Sequence, residues 1–257
     1  MNSDQSNDFS RHREVVCADD CSMGSGLSVA IITFNEENNI HDCIASCHEI
    51  ADEVIVLDSF SKDETLTIAR KFAKVKVHQH PFNGHIEQKN RAIGLCNNPW
   101  VLSLDADERS TPKLNQLIQK TLENKPDVAG FKVRRLTYHM GQYIRHSGWY
   151  PQYRYRLFHK DKAEWIGENP HDYITISGEG KKLAADIIHY SFLDLSQQIE
   201  TINKFSSIVS YTRYQKGQHF SIFVNRGGFH WRVIPPCLTR FILWADRIHR
   251  VACAMSR

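Results

Sequence analysis

Two carboxylates lie one residue apart at the end of an apolar run in the middle of the chain. Asp105 and Asp107 close the segment WVLSLDADER, which begins at Trp100. In a strand, side chains two residues apart share a face, so both carboxylates are predicted to face one pocket. Carboxylates this close repel each other unless a cation lies between them. Because Mg²⁺ or Mn²⁺ combines one or two carboxylates with water and phosphate oxygens, the pair indicates a metal site for a nucleotide diphosphate.

Two other interpretations of the Asp-x-Asp pair are weaker. Short strings of this kind also occur in solvated turns, and only the position at a strand end favours a metal site here. A calcium-binding EF-hand loop needs a glycine at its sixth position and a glutamate at its twelfth. Ser110 and Thr111 follow Arg109 instead, so the calcium loop is excluded.

Strand and helix signals alternate before and after the pair. Apolar, β-branched runs predict strands at 27–34, 53–57, 75–78 and from Trp100 onward. Helices are predicted from about residue 36, from a capping box formed by Ser61 and Glu64 to about Phe72, over 85–95, and over 111–124. This order is typical of an α/β protein with a mostly parallel sheet flanked by helices.

Acidic residues follow three of the predicted strands. They are Glu36, Asp58, Asp105 and Asp107. Ligands of such sheets bind beyond the carboxyl ends of the strands, so these acids are expected around one site. A dinucleotide-binding sheet would carry Gly-x-Gly-x-x-Gly after its first strand, whereas this chain has Thr33-Phe34-Asn35-Glu36-Glu37 there. Dinucleotide binding is therefore excluded.

The two ends of the chain differ from its middle. The polar leader at 1–26 is predicted to be disordered, and neither a signal peptide nor a long apolar run is present in the 257 residues. Residues 213–257 contain eight basic residues against one acid, with apolar positions at helical spacing from Leu238 to Ala252. A basic amphipathic helix suits an anionic membrane surface, although it could also pack on the catalytic domain. The seven cysteines form no Cys-x-x-Cys pair, so buried thiols in a reducing cytoplasm are expected.

Several motifs, in order, resemble those of the family 2 glycosyltransferases. The motifs are Thr33-x-Asn35-Glu36, Val56-Leu57-Asp58-Ser59, Gln88-Lys89-Asn90-Arg91-Ala92, Leu104-Asp105-Ala106-Asp107-Glu108, Arg145-His146-Ser147-Gly148-Trp149-Tyr150-Pro151, Arg156-Leu157-Phe158 and His189-Tyr190-Ser191. Within that family the chain is most similar to bacterial lipopolysaccharide core glucosyltransferases of the WaaE/KdtX type. The resemblance implies a GT-A type fold, with a catalytic domain at 27–192 and a C-terminal helical, membrane-associating extension at 193–257.

The resemblance also implies a role for each matching residue. Glu36 and Asp58 would contact uridine and ribose, Lys89 the nucleotide or its phosphates, and Asp105 the sugar-nucleotide. The full set of implied donor-binding residues is Thr33, Asn35, Glu36, Asp58, Lys89 and Asp105. Asp107 would hold Mg²⁺ or Mn²⁺, and His189 is a candidate further ligand that could equally be structural.

The catalytic base is the least settled of the implied positions. Resembling enzymes carry His-Glu where this chain has Glu168-Asn169-Pro170-His171-Asp172. Asp172 takes the place of the glutamate with a shorter side chain, and Glu168 is close enough to substitute. Either carboxylate could accept the proton of an acceptor hydroxyl.

The predicted function is metal-dependent, inverting transfer of a hexose, glucose from UDP-glucose, to the inner core of lipid-linked lipopolysaccharide. The enzyme would act as a peripheral protein at the cytoplasmic face of the inner membrane, held there through residues 213–257. Aromatic and arginine side chains at 138–158 suit a phosphorylated, acidic sugar acceptor, and no nucleic-acid partner is expected. The alternatives are transfer to another lipid-linked or cell-surface glycan, nucleotidyl transfer, and a catalytically idle sugar-nucleotide binding protein.

Overall fold

Four parallel strands form one half of the main sheet in the computed structural model, which describes residues 26–168, 171–192 and 194–215. The strands are β1 (Leu27–Thr33), β2 (Glu53–Asp58), β3 (Val75–Gln79) and β4 (Trp100–Asp105). They lie in the order β3-β2-β1-β4. β1, β2 and β4 are buried along nearly their whole length, because apolar clusters cover both faces of this half. The strand predictions agree with these bounds to within one residue.

The other half of the sheet runs in mixed directions. Its strands are β5 (Glu108–Ser110), β6 (Gly130–His139), β7 (Gln142–Ile144), β8 (Gln152–His159) and β11 (Gly180–Phe192). The order continues β4-β8-β6-β11-β5, with β7 on β6, and only the β6–β11 pair is parallel. A separate antiparallel hairpin joins β9 (Ala163–Glu168) to β10 (His171–Ile176). The predicted α/β class is confirmed, and apart from β5 the strands of this half come after the helix predicted at 111–124.

The described residues contain five α-helices. They are α1 (Ile40–Cys47), α2 (Thr65–Ala69), α3 (His85–Gly94), α4 (Pro112–Glu123) and α5 (Leu195–Gln215). One core cluster joins the main sheet to α1, α2 and α4, and a second joins its opposite face to α3 and the β9–β10 hairpin. The main sheet is therefore the middle layer, with helices on both sides.

The helix starts show one correct and one wrong prediction. The Thr111 side chain accepts a hydrogen bond from the amide of Leu114, with a proline at the first helical position, as the sequence indicated. The capping box of Ser61 and Glu64 does not form, and α2 begins only at Thr65. Ser61 instead donates its backbone amide (2.9 Å) and its hydroxyl to the carboxylate of Asp58. Asp58, at the end of β2, thus accepts the hydrogen bonds of the serine that was predicted to cap the helix.

Two cysteines of α1 lie in the core. Cys43 and Cys47 are fully buried, and their thiols donate to backbone carbonyls. Burial raises the pKa of the Cys47 thiol to about 12 and raises that of Cys43 as well. Both side chains therefore behave as small apolar groups, as expected.

The C-terminal part of the described chain is helical. α5 runs from Leu195 to Gln215, and none of the helices in the described ranges is long and apolar enough to cross a membrane. The basic segment after Gln215 and the leader before Gly26 lie outside the described residues. The predictions for those two segments are therefore untested.

Candidate active site

A cavity of about 600 Å³ opens beyond the carboxyl ends of β1 and β4. Its walls come from these strands, α3, the β9–β10 hairpin and α5. Six of the predicted site residues line it: Thr33, Glu36, Lys89, Asp105, Asp107 and Asp172. The volume is in the range of small-molecule binding sites.

The two carboxylates of the Asp-x-Asp pair both reach the cavity, but not by strand alternation. Asp105 is the last residue of β4, whereas Asp107 lies in the turn that leads to β5. The prediction that both follow one strand face is therefore wrong, because the strand ends between them. The turn gives the two side chains different neighbours.

Asp105 lies in a network of buried charges. Its carboxylate contacts the ammonium group of Lys89 at 3.0 Å and the guanidinium of Arg156 at 3.1 Å. Burial alone would raise the pKa of Asp105, but the positive charges of Lys89, Arg156 and Arg135 outweigh it and hold the pKa well below its usual value. Asp105 is therefore ionised at neutral pH, and both of its oxygens are engaged.

Glu108 extends this network into the protein. Its fully buried carboxylate contacts Arg156 at 2.6 Å and Arg135 at 3.1 Å, and it accepts the backbone amide of Asp105. Burial lowers the pKa of Arg156, and the charges of Glu108 and Asp105 reverse that effect and raise it. Arg156 is thus a permanent cation that lies between the carboxylates of Asp105 and Glu108.

Lys89 joins the sheet to the hairpin. The side chain is 8% exposed and contacts Asp105 at 3.0 Å and Asp172 at 2.7 Å. Its ammonium group also lies 4.2 Å from the ring centre of Trp165, in β9. The lysine predicted to approach the phosphates therefore already holds two cavity carboxylates in place.

The two candidate bases differ in position. Asp172 of β10 lines the cavity and is half-buried, whereas Glu168, at the end of β9, is exposed and is not part of the cavity wall. Asp172 pairs with Gly167 across the hairpin, whereas Glu168 pairs with residue 171. The two carboxylates therefore lie at different positions along the hairpin. Of the two, Asp172 is the carboxylate that a ligand in the cavity would meet.

Asp107 and His189 fit a metal ion. Nε2 of His189 lies 3.0 Å from one carboxylate oxygen of Asp107, and the other oxygen is buried with no hydrogen-bond partner. No group of three His, Cys, Asp or Glu side chains converges within the described part of the chain. A carboxylate oxygen and an imidazole nitrogen beside an open cavity suit Mg²⁺ or Mn²⁺, which takes its remaining ligands from phosphate and water.

Asn35, which is exposed, and Asp58, which is buried, are not part of the cavity wall. The carboxylate of Asp58 accepts hydrogen bonds from Ser61 and from the side chain of Gln79. Asn35, which has a φ of 54°, accepts the amide of Lys62 and donates its own amide to Ser61. These two residues hold the loops after β1 and β2 together in this structure.

Glu36 lies near Asp107 on the cavity wall. Burial raises the pKa of Glu36, a hydrogen bond from Asn39 opposes this effect, and the negative charge of Asp107 adds to it. The backbone amide of Glu36 is held by Thr65, at the start of α2.

Comparison with known proteins identifies the family. Residues 28–177 match the family model "Glycosyl transferase family 2", which is more than half of the chain. The chain belongs to glycosyltransferase family 2. The α/β sheet with helices on both sides agrees with the GT-A type fold that the resemblance implied.

One curated relative of this family 2 glycosyltransferase is named for a biosynthetic role. The lipopolysaccharide core biosynthesis glycosyltransferase LpsC of Rhizobium meliloti is 27% identical over 198 residues, which are 75% of this chain and 73% of LpsC. The chain is therefore related to a lipopolysaccharide core glycosyltransferase.

Two solved structures match a smaller part of the chain. TarS (residues 1–349) of S. aureus in complex with UDP-GlcNAc is 22% identical, with a TM-score of 0.41, over 48% of this chain and 37% of TarS. Glucosyl-3-phosphoglycerate synthase from Mycobacterium tuberculosis, in complex with Mn²⁺, UDP and glucosyl-3-phosphoglycerate, is 24% identical, with a TM-score of 0.37, over 44% of each chain. This chain thus spans less than half of either structure.

Sequence reasoning missed part of the site of this family 2 glycosyltransferase. Arg135 and Glu108 were not assigned to it. A charged residue inside a buried strand, such as Arg156 before Leu157, indicates a buried ion pair and could have pointed to this network. The aromatic and aliphatic wall was missed too: Phe34, Phe82, Phe205 and Val209. Phe205 and Val209 are four residues apart in α5, but helical spacing alone does not say which surface a helix covers.

Proposed function

We propose that this family 2 glycosyltransferase transfers a hexose from a UDP-sugar to the inner core of lipopolysaccharide, with UDP-glucose as the donor to test first. The observation that carries the proposal is that Asp105, Asp107 and Asp172 line one cavity at the carboxyl ends of the strands. The relationship to LpsC supports a lipopolysaccharide core as acceptor.

The donor would bind with its nucleotide toward β1 and its diphosphate toward Asp107. Thr33, Glu36 and Ser59 line the cavity at the ends of β1 and β2, where the resemblance implies the uridine and ribose contacts. Asn35 and Asp58 would act there by fixing the two loops.

The metal site of the proposal consists of Asp107 and His189. A bound Mg²⁺ or Mn²⁺ would act as a Lewis acid that stabilises the charge of the UDP leaving group. The unpartnered oxygen of Asp107 supports this assignment, because a buried carboxylate oxygen is rarely left without a hydrogen bond or an ion. Asp105, whose oxygens contact Lys89 and Arg156, would orient the donor sugar.

Asp172 is the proposed base. Its carboxylate would accept the proton of the acceptor hydroxyl while that oxygen attacks the anomeric carbon of the donor. The bond from the anomeric carbon to the phosphate oxygen breaks with inversion, and its electrons leave with UDP. The 2.7 Å contact with Lys89 fixes the position of the carboxylate, and alignment of this kind is a large part of the rate of a transfer reaction.

An assay of products separates this proposal from the alternatives. The full chain is incubated with UDP-glucose, Mn²⁺ and lipopolysaccharide from a strain that lacks the gene, and both UDP and pyrophosphate are measured. Release of UDP with a gain of one hexose in the core mass is expected. Pyrophosphate would indicate nucleotidyl transfer, and tight UDP-glucose binding without turnover would indicate an idle binding protein.

Variants at the two candidate bases test the mechanism. Asp172→Asn should lower kcat by about 10²- to 10⁴-fold, because the carboxylate that accepts the proton is lost. Asp172→Glu should retain more activity, and Glu168→Gln is the matched control that should retain nearly all of it. A large loss in Glu168→Gln with little loss in Asp172→Asn would reverse the assignment.

The peripheral location is part of the proposal. Residues 213–257 would bind the anionic cytoplasmic face of the inner membrane, since their net charge is strongly positive. The full chain should sediment with vesicles that contain phosphatidylglycerol and not with neutral ones. Substitution of Arg240, Arg247 and Arg250 by glutamine should weaken this binding, and unchanged sedimentation would contradict the proposal.

A further inference from the structure

A cluster of three tyrosines lies beside the Asp107 turn. Tyr190 of β11, Tyr138 of β6 and Tyr143 of β7 occupy three adjacent strands. The ring centre of Tyr138 is 5.2 Å from that of Tyr190 and 5.0 Å from that of Tyr143. We call these residues the tyrosine cluster, and none of the three is part of the cavity wall described above.

The tyrosine cluster has a fixed position relative to the proposed metal site. The backbone amide of Tyr190 donates to the carbonyl of Asp107 at 3.0 Å, and the guanidinium of Arg109 lies 5.2 Å from the ring centre of Tyr190. The preceding residue, His189, contacts the carboxylate of Asp107. The cluster therefore begins at the residue that follows His189, whose contact Asp107 lines the cavity.

The cluster is polar as well as aromatic. Burial raises the pKa of the Tyr190 hydroxyl, and the hydrogen-bonded neighbour Tyr143 adds to this effect. Tyr143 is 42% exposed, so its aromatic ring is open to a ligand at this surface, whereas Tyr138 and Tyr190 are half-buried.

An exposed cation lies over the outer edge of the cluster. The guanidinium of Arg145 is 5.9 Å from the ring centres of both Tyr143 and Tyr150. Within the described part of the chain Arg145 forms no ion pair, and Asp186, the nearby acid that Tyr150 contacts, is paired with Arg134. An arginine in this position can accept a ligand that brings its own negative charge.

We propose that the tyrosine cluster and Arg145 form an acceptor subsite for a pyranose that carries an anionic group. This inference rests on the proposed glycosyl transfer and names the acceptor chemistry. Aromatic faces pack against the C–H faces of a sugar, the tyrosine hydroxyls bond its hydroxyls, and the guanidinium binds a carboxylate or a phosphate in bidentate geometry. The anionic sugar would thus be held next to the Asp107 turn.

Sugar titrations of the full chain test the subsite. Glucuronate, glucose 6-phosphate and glucose are titrated by ligand-observed NMR at low salt, with UDP and Mg²⁺ present to fill the donor cavity. We expect both anions to bind about tenfold more tightly than glucose, as one charged hydrogen-bonded contact would give. The preferred anion identifies the substituent as a carboxylate or a phosphate.

Two surface variants and two matched controls complete the experiment. Arg145→Gln should remove the preference for anions, and Tyr143→Ala should weaken binding of all three sugars. The controls Arg70→Gln and Tyr211→Ala change an exposed arginine and an exposed tyrosine elsewhere and should bind as the natural chain does.

The outcomes separate this inference from the proposed function. Equal sugar affinities in the natural chain and in both subsite variants would overturn the subsite, as would a loss of UDP affinity in either variant. Failure of the natural chain to bind UDP would instead contradict the proposed donor. Retained UDP binding with altered sugar binding is the expected pattern.

Discussion

The carboxylates on the two sides of the cavity differ in their charged and hydrogen-bonding partners. On the Asp105 side, both oxygens of Asp105 contact Lys89 and Arg156, and the buried Glu108 is paired with Arg156 and Arg135. On the Asp107 side, the carboxylate has one histidine partner and one oxygen without any. Two identical side chains two residues apart thus differ in their partners: both oxygens of Asp105 contact cations, whereas one oxygen of Asp107 is left available to a ligand.

The largest expected effect comes from breaking the paired side. Arg156→Met would leave Glu108 and Asp105 without their shared cation in a buried place. Loss of one partner of a buried ion pair costs about 3–5 kcal/mol of unfolding free energy. Urea unfolding followed by circular dichroism measures this change. The exposed Arg70→Met is the control, and a loss in Arg156→Met no larger than in the control would contradict the description of a tightly coupled network.

Matched substitutions of the two aspartates sharpen the comparison. Asp105→Asn should lower the unfolding free energy by about 2–4 kcal/mol, because Lys89 and Arg156 lose a counter-charge. Asp107→Asn should change stability by less than about 1 kcal/mol but lower transfer about 10²- to 10³-fold. Unfolding curves and hexose transfer are measured on both variants. The comparison fails if the two variants lose stability and activity in the same proportion.

The pH dependence of stability should differ in the same way. The pKa of Asp105 is depressed in the folded state, so its contribution is complete above the unfolded value of about 3.9 and is lost as the pH falls below it. The unfolding free energy of the natural chain should therefore drop more steeply between about pH 5 and pH 2 than that of Asp105→Asn. Parallel curves for the two proteins would show that Asp105 titrates normally.

The smallest expected effect is on the pKa of Glu36. Burial raises its pKa, and the charge of Asp107 contributes in the same direction. Asp107→Asn removes that charge and should lower the pKa of Glu36, which carboxyl-carbon NMR can follow during a titration. Asp42→Asn, an exposed change in α1, is the control. No shift in Asp107→Asn would mean that the two carboxyl groups do not interact.

The sequence was most informative where local pattern decides structure. Apolar runs gave the parallel strands, and the strand-end positions of Glu36, Asp105 and Asp107 gave one wall of the cavity. Contacts between distant segments could not be predicted in this way. Lys89 and Asp172 are 83 residues apart, and Arg156 and Asp105 are 51 apart, so no periodicity connects them. The failed capping box shows the same limit, since Ser61 is captured by Asp58.

Helix α5 has a consequence for the whole molecule. Phe205 and Val209 in this helix form part of the cavity wall, and the chain continues from Gln215 into the basic extension. A force that tilts α5 must change the width of the cavity, because these two side chains move with the helix. The orientation of this 21-residue helix thus determines how much room the cavity leaves for a ligand.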